Sequence, residues 1–195
     1  VLDRFVRAAE EHKLDTVVRI TGDCPILDPQ IVDRVIDRFV EKSPALDYVS
    51  NAQAPRTFPD GQDVEVFSFD FLSTLNKKAK KSYQREHVTT FMVENPGMFR
   101  VENIENDVDL SKHRWTVDNI EDFKLIQKII EHFSTRSDSF QIEDVLQFLK
   151  DNPELSHLNR HIETNAGFAA SLGKDASLSE EEKRKILKTV MKKPN

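Results

Sequence analysis

The chain has 195 residues, of which 38% are apolar and 32% are charged, and its formal net charge at pH 7 is −6. This composition is typical of a globular domain with a sizeable core, and the acidic balance gives no overall basic surface for nucleic acid. No run approaches the roughly 18 apolar residues that a bilayer-spanning helix needs, so we expect no membrane segment.

Cysteine usage bears on the compartment in which the protein works. Cys24 is the single cysteine of the sequence, which excludes an internal disulfide and a cysteine-rich zinc site. A chain without disulfides is typical of a reducing environment. We therefore expect a cytoplasmic protein.

The first part of the sequence alternates between helical and extended patterns. Apolar spacing predicts a helix over residues 2–12, and a β-branched run predicts a strand over 16–20. Asp28 followed by Pro29 is typical of a helix start, with Asp28 as the N-cap. Residues 47–50 follow as another short strand. This alternation favours a parallel or mixed sheet with helices on its faces.

The remaining sequence continues this pattern as far as residue 150. Further strands are predicted at 63–67, 99–104 and 114–117, and further helices at 69–80, 84–94, 120–133 and 141–150. Either Asn119 or Asp118 is expected to cap the helix that begins at residue 120. From about residue 152 the apolar residues thin out, and Ser179 begins a capped, charged helix. We therefore divide the chain into a main domain, 1–150, and a helical, charged appendage, 151–195.

Two carboxylates follow predicted strands. Asp23 comes after the strand at 16–20, and Asp118 comes after the strand at 114–117. Ligands of open α/β sheets bind beyond the carboxyl ends of strands, so the two side chains could bracket one Mg²⁺ ion together with phosphate and water. Each also has an ordinary alternative, a turn cap for Asp23 and a helix N-cap for Asp118.

Four motifs occur in order along the chain. They are VVRITGDCP at 17–25, RTFPDGQDVE at 56–65, REHVT at 85–89 and RWTVD at 114–118. Together they resemble the spore-coat polysaccharide cytidylyltransferase family, which is related to the synthetases that make CMP-activated keto-sugar acids. Four spaced matches within residues 1–150 are far more specific than any single motif.

The resemblance implies both a fold and a reaction. The fold would be a Rossmann-like three-layer sandwich of the nucleotide-diphospho-sugar transferase type. The reaction would be Mg²⁺-dependent transfer of CMP from CTP to a sugar or sugar acid, giving a CMP-sugar for polysaccharide or glycan biosynthesis. By position, Asp23 and Asp118 match the carboxylates that hold Mg²⁺ in the related synthetases. CTP and a sugar are therefore the expected partners, with no nucleic acid and no membrane, and family members commonly form homodimers.

The second motif supplies the candidate catalytic residues. Arg56 could clamp a sugar carboxylate or phosphate with two parallel hydrogen bonds. Asp63 and Glu65 are two residues apart on a predicted strand, so both could accept hydrogen bonds from sugar hydroxyls or orient a nucleophile. The alternative is that both carboxylates lie on the solvated face of an edge strand.

The third and fourth motifs supply candidate substrate-binding residues. Arg85 and His87, with Glu86 between them, lie at a predicted helix start and could contact an anionic sugar; the alternative is helix capping and surface pairing. Arg114 could bind phosphate, or pair near the rim of the sheet.

The five glycines include no glycine-rich loop between a strand and a helix, where backbone N–H groups would cradle phosphates. The family that the chain resembles carries this loop on its first strand. We therefore expect the chain to be a fragment, or else a divergent remnant, and to have little transferase activity alone. Two other functions stay open: a metal-dependent glycosyltransferase, for which Asp107 and Asp109 have the expected spacing, and a non-catalytic interaction module.

Overall fold

The computed structural model describes residues 1–136, 139–162 and 166–190, and within them the chain forms a four-stranded sheet. The strand order is β1-β3-β2-β4. β3 is antiparallel to both β1 and β2, whereas β4 is parallel to β2, so the prediction of a mixed sheet is confirmed. The strands are β1 (Thr16–Arg19), β2 (Tyr48–Ser50), β3 (Glu65–Ser68) and β4 (Val101–Asn103).

Most of the helices lie where the apolar spacing of the sequence predicts them. They are α1 (Leu2–Glu11), α2 (Pro29–Lys42), α3 (Phe69–Lys78), α4 (Ser82–Glu86), α5 (Thr90–Glu94), α6 (Ile120–Phe133), α7 (Ile142–Asp151), α8 (Ala166–Lys174) and α9 (Glu180–Val190). The predicted N-cap of α2 is confirmed, because Asp28 Oδ1 accepts a hydrogen bond from Gln30 N at 2.8 Å. The other oxygen, Oδ2, accepts one from Ile142 N at 2.9 Å and so joins α2 to α7.

The two faces of the sheet are both covered by helices. Val64 and Val66 belong to a buried cluster with apolar residues of α2, α6 and α7. Phe67 belongs to a second cluster, with Tyr48 of β2 and apolar residues of α1 and α3. Because neighbouring strand residues point to opposite faces, this alternation gives the three-layer sandwich that the resemblance implied.

One predicted helix is wrong. Residues 84–94 form no single helix, because the chain breaks between α4 and α5 around Val88, whose φ is 49°. The next residue, Thr89, donates from Oγ1 to the buried carboxylate of Glu65 at 2.8 Å. This tertiary hydrogen bond holds the break in place against the local helical pattern.

One predicted strand is also wrong. Residues 114–117 form no ladder with the sheet; Arg114 makes an isolated bridge to Asp60. The bridge is flanked by two backbone hydrogen bonds, from Trp115 N to Asp60 O at 2.6 Å and from Asp60 N to His113 O at 2.9 Å. The segment is extended, as its β-branched and aromatic residues predict, but its partner is a loop.

The residues that follow α7 contact the main body at several points. Phe168 and Leu172 of α8 share a buried cluster with Tyr83 of α4. Ser82 Oγ, also on α4, donates to Asp175 Oδ2 at 2.8 Å. The division of the chain at residue 150 stays a prediction. In the ranges described above, no helix has the length and apolar character needed to cross a membrane.

Candidate active site

The two candidate metal-binding segments lie against each other. Asp23 follows β1 in a turn, and its carbonyl oxygen accepts hydrogen bonds from Val117 N at 2.8 Å and from Thr116 Oγ1 at 3.2 Å. These contacts hold the extended segment that ends in Asp118 beside the turn that contains Asp23. The structure therefore brings the two segments together, while metal binding by their carboxylates stays a prediction.

Both carboxylates have room to take a ligand. Asp23 is half-buried, and within the described part of the chain its carboxylate receives one long contact, from Cys24 Sγ to Oδ1 at 3.7 Å. The Asp118 side chain is 53% exposed and accepts from Arg114 Nη2 at 2.6 Å. Asn119 is the N-cap of α6, so the alternative that Asp118 is simply that cap is wrong.

The donor set fits a hard divalent cation that is shared with a substrate. Mg²⁺ is usually held by one or two carboxylates plus phosphate and water. No group of three or more metal-ligating side chains occurs in the part of the chain that the structure describes. Asp23 and Asp118 would therefore hold such an ion only together with phosphate oxygens.

Arg114 is buried among carboxylates. Its Nη1 donates to Asp60 Oδ2 at 3.0 Å, and its Nε and Nη2 donate to the two oxygens of Asp122, both at 3.0 Å. With Asp118, this guanidinium contacts three carboxylates. Phosphate binding by Arg114 stays a prediction, since its N–H groups donate to aspartate oxygens in the structure.

Asp122 was not anticipated from the sequence. It is fully buried, and its Oδ2 accepts from Asn119 N at 3.0 Å and from Asp118 N at 3.2 Å. Burial alone would raise the pKa of Asp122, but hydrogen bonds from Arg114 and Asn159 outweigh it, so the pKa lies below its usual value. The charged carboxylate thus organises the start of α6.

Arg56 pairs with two carboxylates of its own motif. Its Nη2 donates to Asp63 Oδ1 and, at 3.2 Å, to Asp60 Oδ1. Burial raises the pKa of Asp63 to about 6; the charge of Arg56 opposes this rise, and the nearby Asp60 and Glu65 add to it. Asp63 is therefore a carboxylate that can gain and lose a proton near neutral pH.

Glu65 has a different environment from Asp63. β3 lies between β1 and β2, so the solvated edge-strand alternative is wrong. Glu65 is 5% exposed, and it accepts hydrogen bonds from Tyr48 OH at 2.7 Å, from Thr89 Oγ1 at 2.8 Å and from the Arg19 guanidinium. Its oxygens are thus engaged by protein donors, whereas Asp63 precedes the strand and contacts Arg56.

The REHVT motif separates into three environments. Arg85 donates to the carbonyl oxygens of Asn76 and Ala79, at 3.2 and 2.9 Å, and so holds the end of α3. Glu86 is exposed. The His87 ring lies 5.1 Å from the ring of Phe168; burial lowers the pKa of His87 against the opposing charge of Glu86, and the charge of Arg19 lowers it further. The charge of Arg19 thus acts on His87, and the same guanidinium donates to Glu65.

Negative charge predominates across this region. Six carboxylates and three guanidinium groups lie in or next to the segments that carry Asp23, Asp63 and Asp118, and a bound cation would reduce the repulsion that an anionic phosphate meets there. The guanidinium groups are those of Arg19, Arg56 and Arg114, and the carboxylates are those of Asp23, Asp60, Asp63, Glu65, Asp118 and Asp122.

Comparisons with known proteins agree with this picture. A family model described as cytidylyltransferase matches residues 1–183. The chain is 36% identical over 164 residues to an uncharacterized protein of Methanocaldococcus jannaschii, and 29% identical over 157 residues to the spore coat polysaccharide biosynthesis protein SpsF of Bacillus subtilis. These matches cover 83% and 79% of this chain, and the chain spans 64% and 62% of the length of the two relatives.

A solved structure has the same fold. The structure of a cytidylyltransferase from Leptospira borgpetersenii superimposes with a TM-score of 0.77 at 32% sequence identity, and the match covers 84% of this chain and 67% of that one. The resemblance that the four motifs carried is therefore confirmed. The chain belongs to the cytidylyltransferase family.

Proposed function

We propose that this protein takes part in polysaccharide biosynthesis by transferring CMP from CTP to a hydroxyl group of a sugar or sugar acid, with Mg²⁺ as the cofactor. The family model and the name of the SpsF relative support the reaction and the pathway. The observation that carries the proposal is the 2.8 Å hydrogen bond from Val117 N to Asp23 O. It places two carboxylate-bearing segments of the family motifs side by side, where a cation and phosphate could be shared.

In the proposed reaction a sugar hydroxyl oxygen forms a bond to the α-phosphorus of CTP, and the bond from that phosphorus to the bridging oxygen of pyrophosphate breaks. Asp23 and Asp118 would hold Mg²⁺, which when bound supplies positive charge that offsets the phosphate oxygens. Such transfers depend mainly on positioning and electrostatic stabilisation. The protein's task is therefore to align the hydroxyl and the triphosphate.

Asp63 is the residue best suited to take the proton of the attacking hydroxyl. Its pKa of about 6 makes it ionised at neutral pH and yet a stronger base than an ordinary aspartate. Arg56 fixes one oxygen of Asp63, and the other oxygen could accept the proton of the substrate. Glu65 has three protein donors and is better suited to hold Arg19 and Thr89 in place.

The metal-binding assignment predicts a specific loss of activity. Asp23→Asn and Asp118→Asn each remove a charged oxygen ligand, and we expect turnover of CTP to fall roughly 10- to 100-fold for each, about 1.4–2.7 kcal/mol of transition-state stabilisation. Pyrophosphate release by the product of the complete reading frame is the measurement. Asp107→Asn, at an exposed loop position, is the matched control and should keep wild-type turnover.

The same control separates the proposal from the glycosyltransferase alternative. That alternative requires the pair Asp107 and Asp109, but both are exposed, and Asp109 Oδ1 accepts from Ser111 N at 2.9 Å in a local turn. Sugar transfer from a nucleotide-sugar donor that Asp107→Asn abolished and Asp23→Asn retained would replace our assignment with the glycosyltransferase. If the protein were a non-catalytic interaction module, wild type and variants alike would show no CTP turnover.

The raised pKa of Asp63 predicts that turnover increases with pH whereas the stability of the fold decreases. Turnover should rise with pH through about 6, because the ionised carboxylate is the base. The pH profile of Asp63→Asn should not show this rise. The pKa of Asp63 is higher in the folded chain than its value of about 4 in the unfolded chain. Its contribution to the free energy of unfolding is therefore fully present below about pH 4 and is lost as the pH rises through about 6. Urea midpoints of wild type and Asp63→Asn between pH 4 and 7.5 test the second trend, and a difference that grows in favour of wild type with rising pH would contradict it.

Three expectations remain predictions: little activity for these 195 residues alone, a homodimer, and a cytoplasmic location. Comparing CTP turnover by the 195-residue chain with turnover by the product of the complete reading frame tests the first.

A further inference from the structure

Asn159 lies far along the chain from the motifs, yet its side chain enters the candidate site. It is 3% exposed and follows α7, outside any helix or strand. Its Nδ2 donates to the backbone carbonyl oxygen of Arg114 at 2.8 Å and to Asp122 Oδ1 at 2.8 Å. An amide nitrogen carries two hydrogen atoms, so one is available for each acceptor.

These two acceptors are the ends of the segment that carries Asp118. Arg114 lies four residues before Asp118, and Asp122 lies four residues after it, in the first turn of α6. Asn159 therefore bridges the two ends of residues 114–122 and closes them into a loop. Within this loop Arg114 Nη2 holds the Asp118 carboxylate at 2.6 Å, and Asp122 holds the Asp118 backbone N–H.

We propose that Asn159 is a positioning residue for the Asp118 carboxylate, acting through the backbone of Arg114 and the carboxylate of Asp122. The inference rests on the proposed function, since Asp118 must be a metal ligand for its position to matter. The proposal also implies that the segment after residue 150 supports the candidate site. Asp118 is 53% exposed, so its orientation depends on the hydrogen bond from Arg114 and on the closed loop that carries both residues.

The test is metal binding by the product of the complete reading frame, with Mn²⁺ as the probe and CTP present. Electron paramagnetic resonance measures free Mn²⁺ and so gives the dissociation constant independently of turnover. We expect Asn159→Ala to raise this constant roughly tenfold, as loss of hydrogen bonds that support metal ligands commonly does. Turnover of this variant should recover at high Mg²⁺ concentration, whereas turnover of Asp63→Asn should not.

The matched control is Asn152→Ala. Asn152 belongs to the same segment and donates from Nδ2 to Phe148 O at 2.9 Å, away from the site. It should keep the wild-type dissociation constant, even where it lowers the melting temperature. Asn159→Ser is the second variant, in case Asn159→Ala fails to fold. Its hydroxyl has one hydrogen atom, so it can serve one acceptor but not both, and its constant should lie between those of wild type and Asn159→Ala.

The outcomes separate the inference from the proposed function. If Asp118→Asn weakens Mn²⁺ binding while both Asn159 variants bind as wild type does, the inference is overturned and the proposed function stands. If Asp118→Asn leaves Mn²⁺ binding unchanged, the metal assignment fails, and the inference fails with it. A fall in melting temperature with unchanged Mn²⁺ affinity would show that Asn159 is structural alone.

Discussion

Replacing Arg114 by methionine is expected to destabilise the fold by about 3–5 kcal/mol. The substitution keeps a long side chain but removes the guanidinium that donates hydrogen bonds to Asp122, Asp60 and Asp118. Asp122 is fully buried, and a buried carboxylate without its partner bears the full cost of its desolvation. Urea unfolding at pH 7 measures the loss, and the variant should recover part of it at low pH, where the carboxylates become protonated.

Arg100→Met is the matched control for this prediction. Arg100 also pairs with an aspartate, at 2.5 Å between its Nη2 and Asp47 Oδ1, but its side chain is 59% exposed. Solvent screens an exposed ion pair, so we expect a much smaller loss than for Arg114→Met. Equal losses for the two variants would show that the carboxylates around Arg114 do not depend on its charge.

Replacing Gly61 by alanine is expected to cost about 2–5 kcal/mol. The φ of Gly61 is +105°, in the region that favours glycine, and a Cβ there would lie 2.5 Å from the backbone carbon of Trp115. Forcing a side chain into that conformation costs roughly 1–2 kcal/mol, and the collision with backbone adds roughly 1–3 kcal/mol. The contact lies beside the bridge between Asp60 and Arg114, so the substitution should also reduce turnover.

Gly97→Ala is the control that separates the cost of the backbone clash from the cost of the positive φ. The φ of Gly97 is +88°, but a Cβ at this position would meet nothing within 4 Å. We expect a loss of roughly 1–2 kcal/mol in urea unfolding, from the conformation alone. Gly61→Ala should be the more damaging change, and the close approach of Trp115 would be refuted if the two variants were equally stable.

Local signals were sufficient to predict most of the secondary structure. The N-cap of α2 and the extent of α6 followed from a capping residue and a helical apolar pattern, which involve only neighbouring residues. The break at Val88 could not be predicted in this way, because Thr89 is held by Glu65, 24 residues earlier. The strand predicted at 114–117 failed for a similar reason, since an extended pattern does not reveal which segment will be its partner.

The candidate site was predicted in outline but not in its supporting contacts. A backbone hydrogen bond brings the segments of Asp23 and Asp118 together, while the expectation that their carboxylates share one Mg²⁺ ion stays a prediction. Asp60, Asp122 and Asn159 were not anticipated. Asp60 lies 54 residues from Arg114, and Asn159 lies 37 residues from Asp122, so no local spacing could indicate these contacts.

The most direct test of the central proposal is product analysis. The product of the complete reading frame is incubated with CTP, Mg²⁺ and a panel of neutral and acidic sugars, and the products are identified by mass spectrometry. We predict pyrophosphate and a CMP-sugar in equal amounts, with at least a tenfold lower rate for Asp23→Asn. Transfer of a sugar from a nucleotide-sugar donor without pyrophosphate release, or equal rates for wild type and Asp23→Asn, would contradict the proposal.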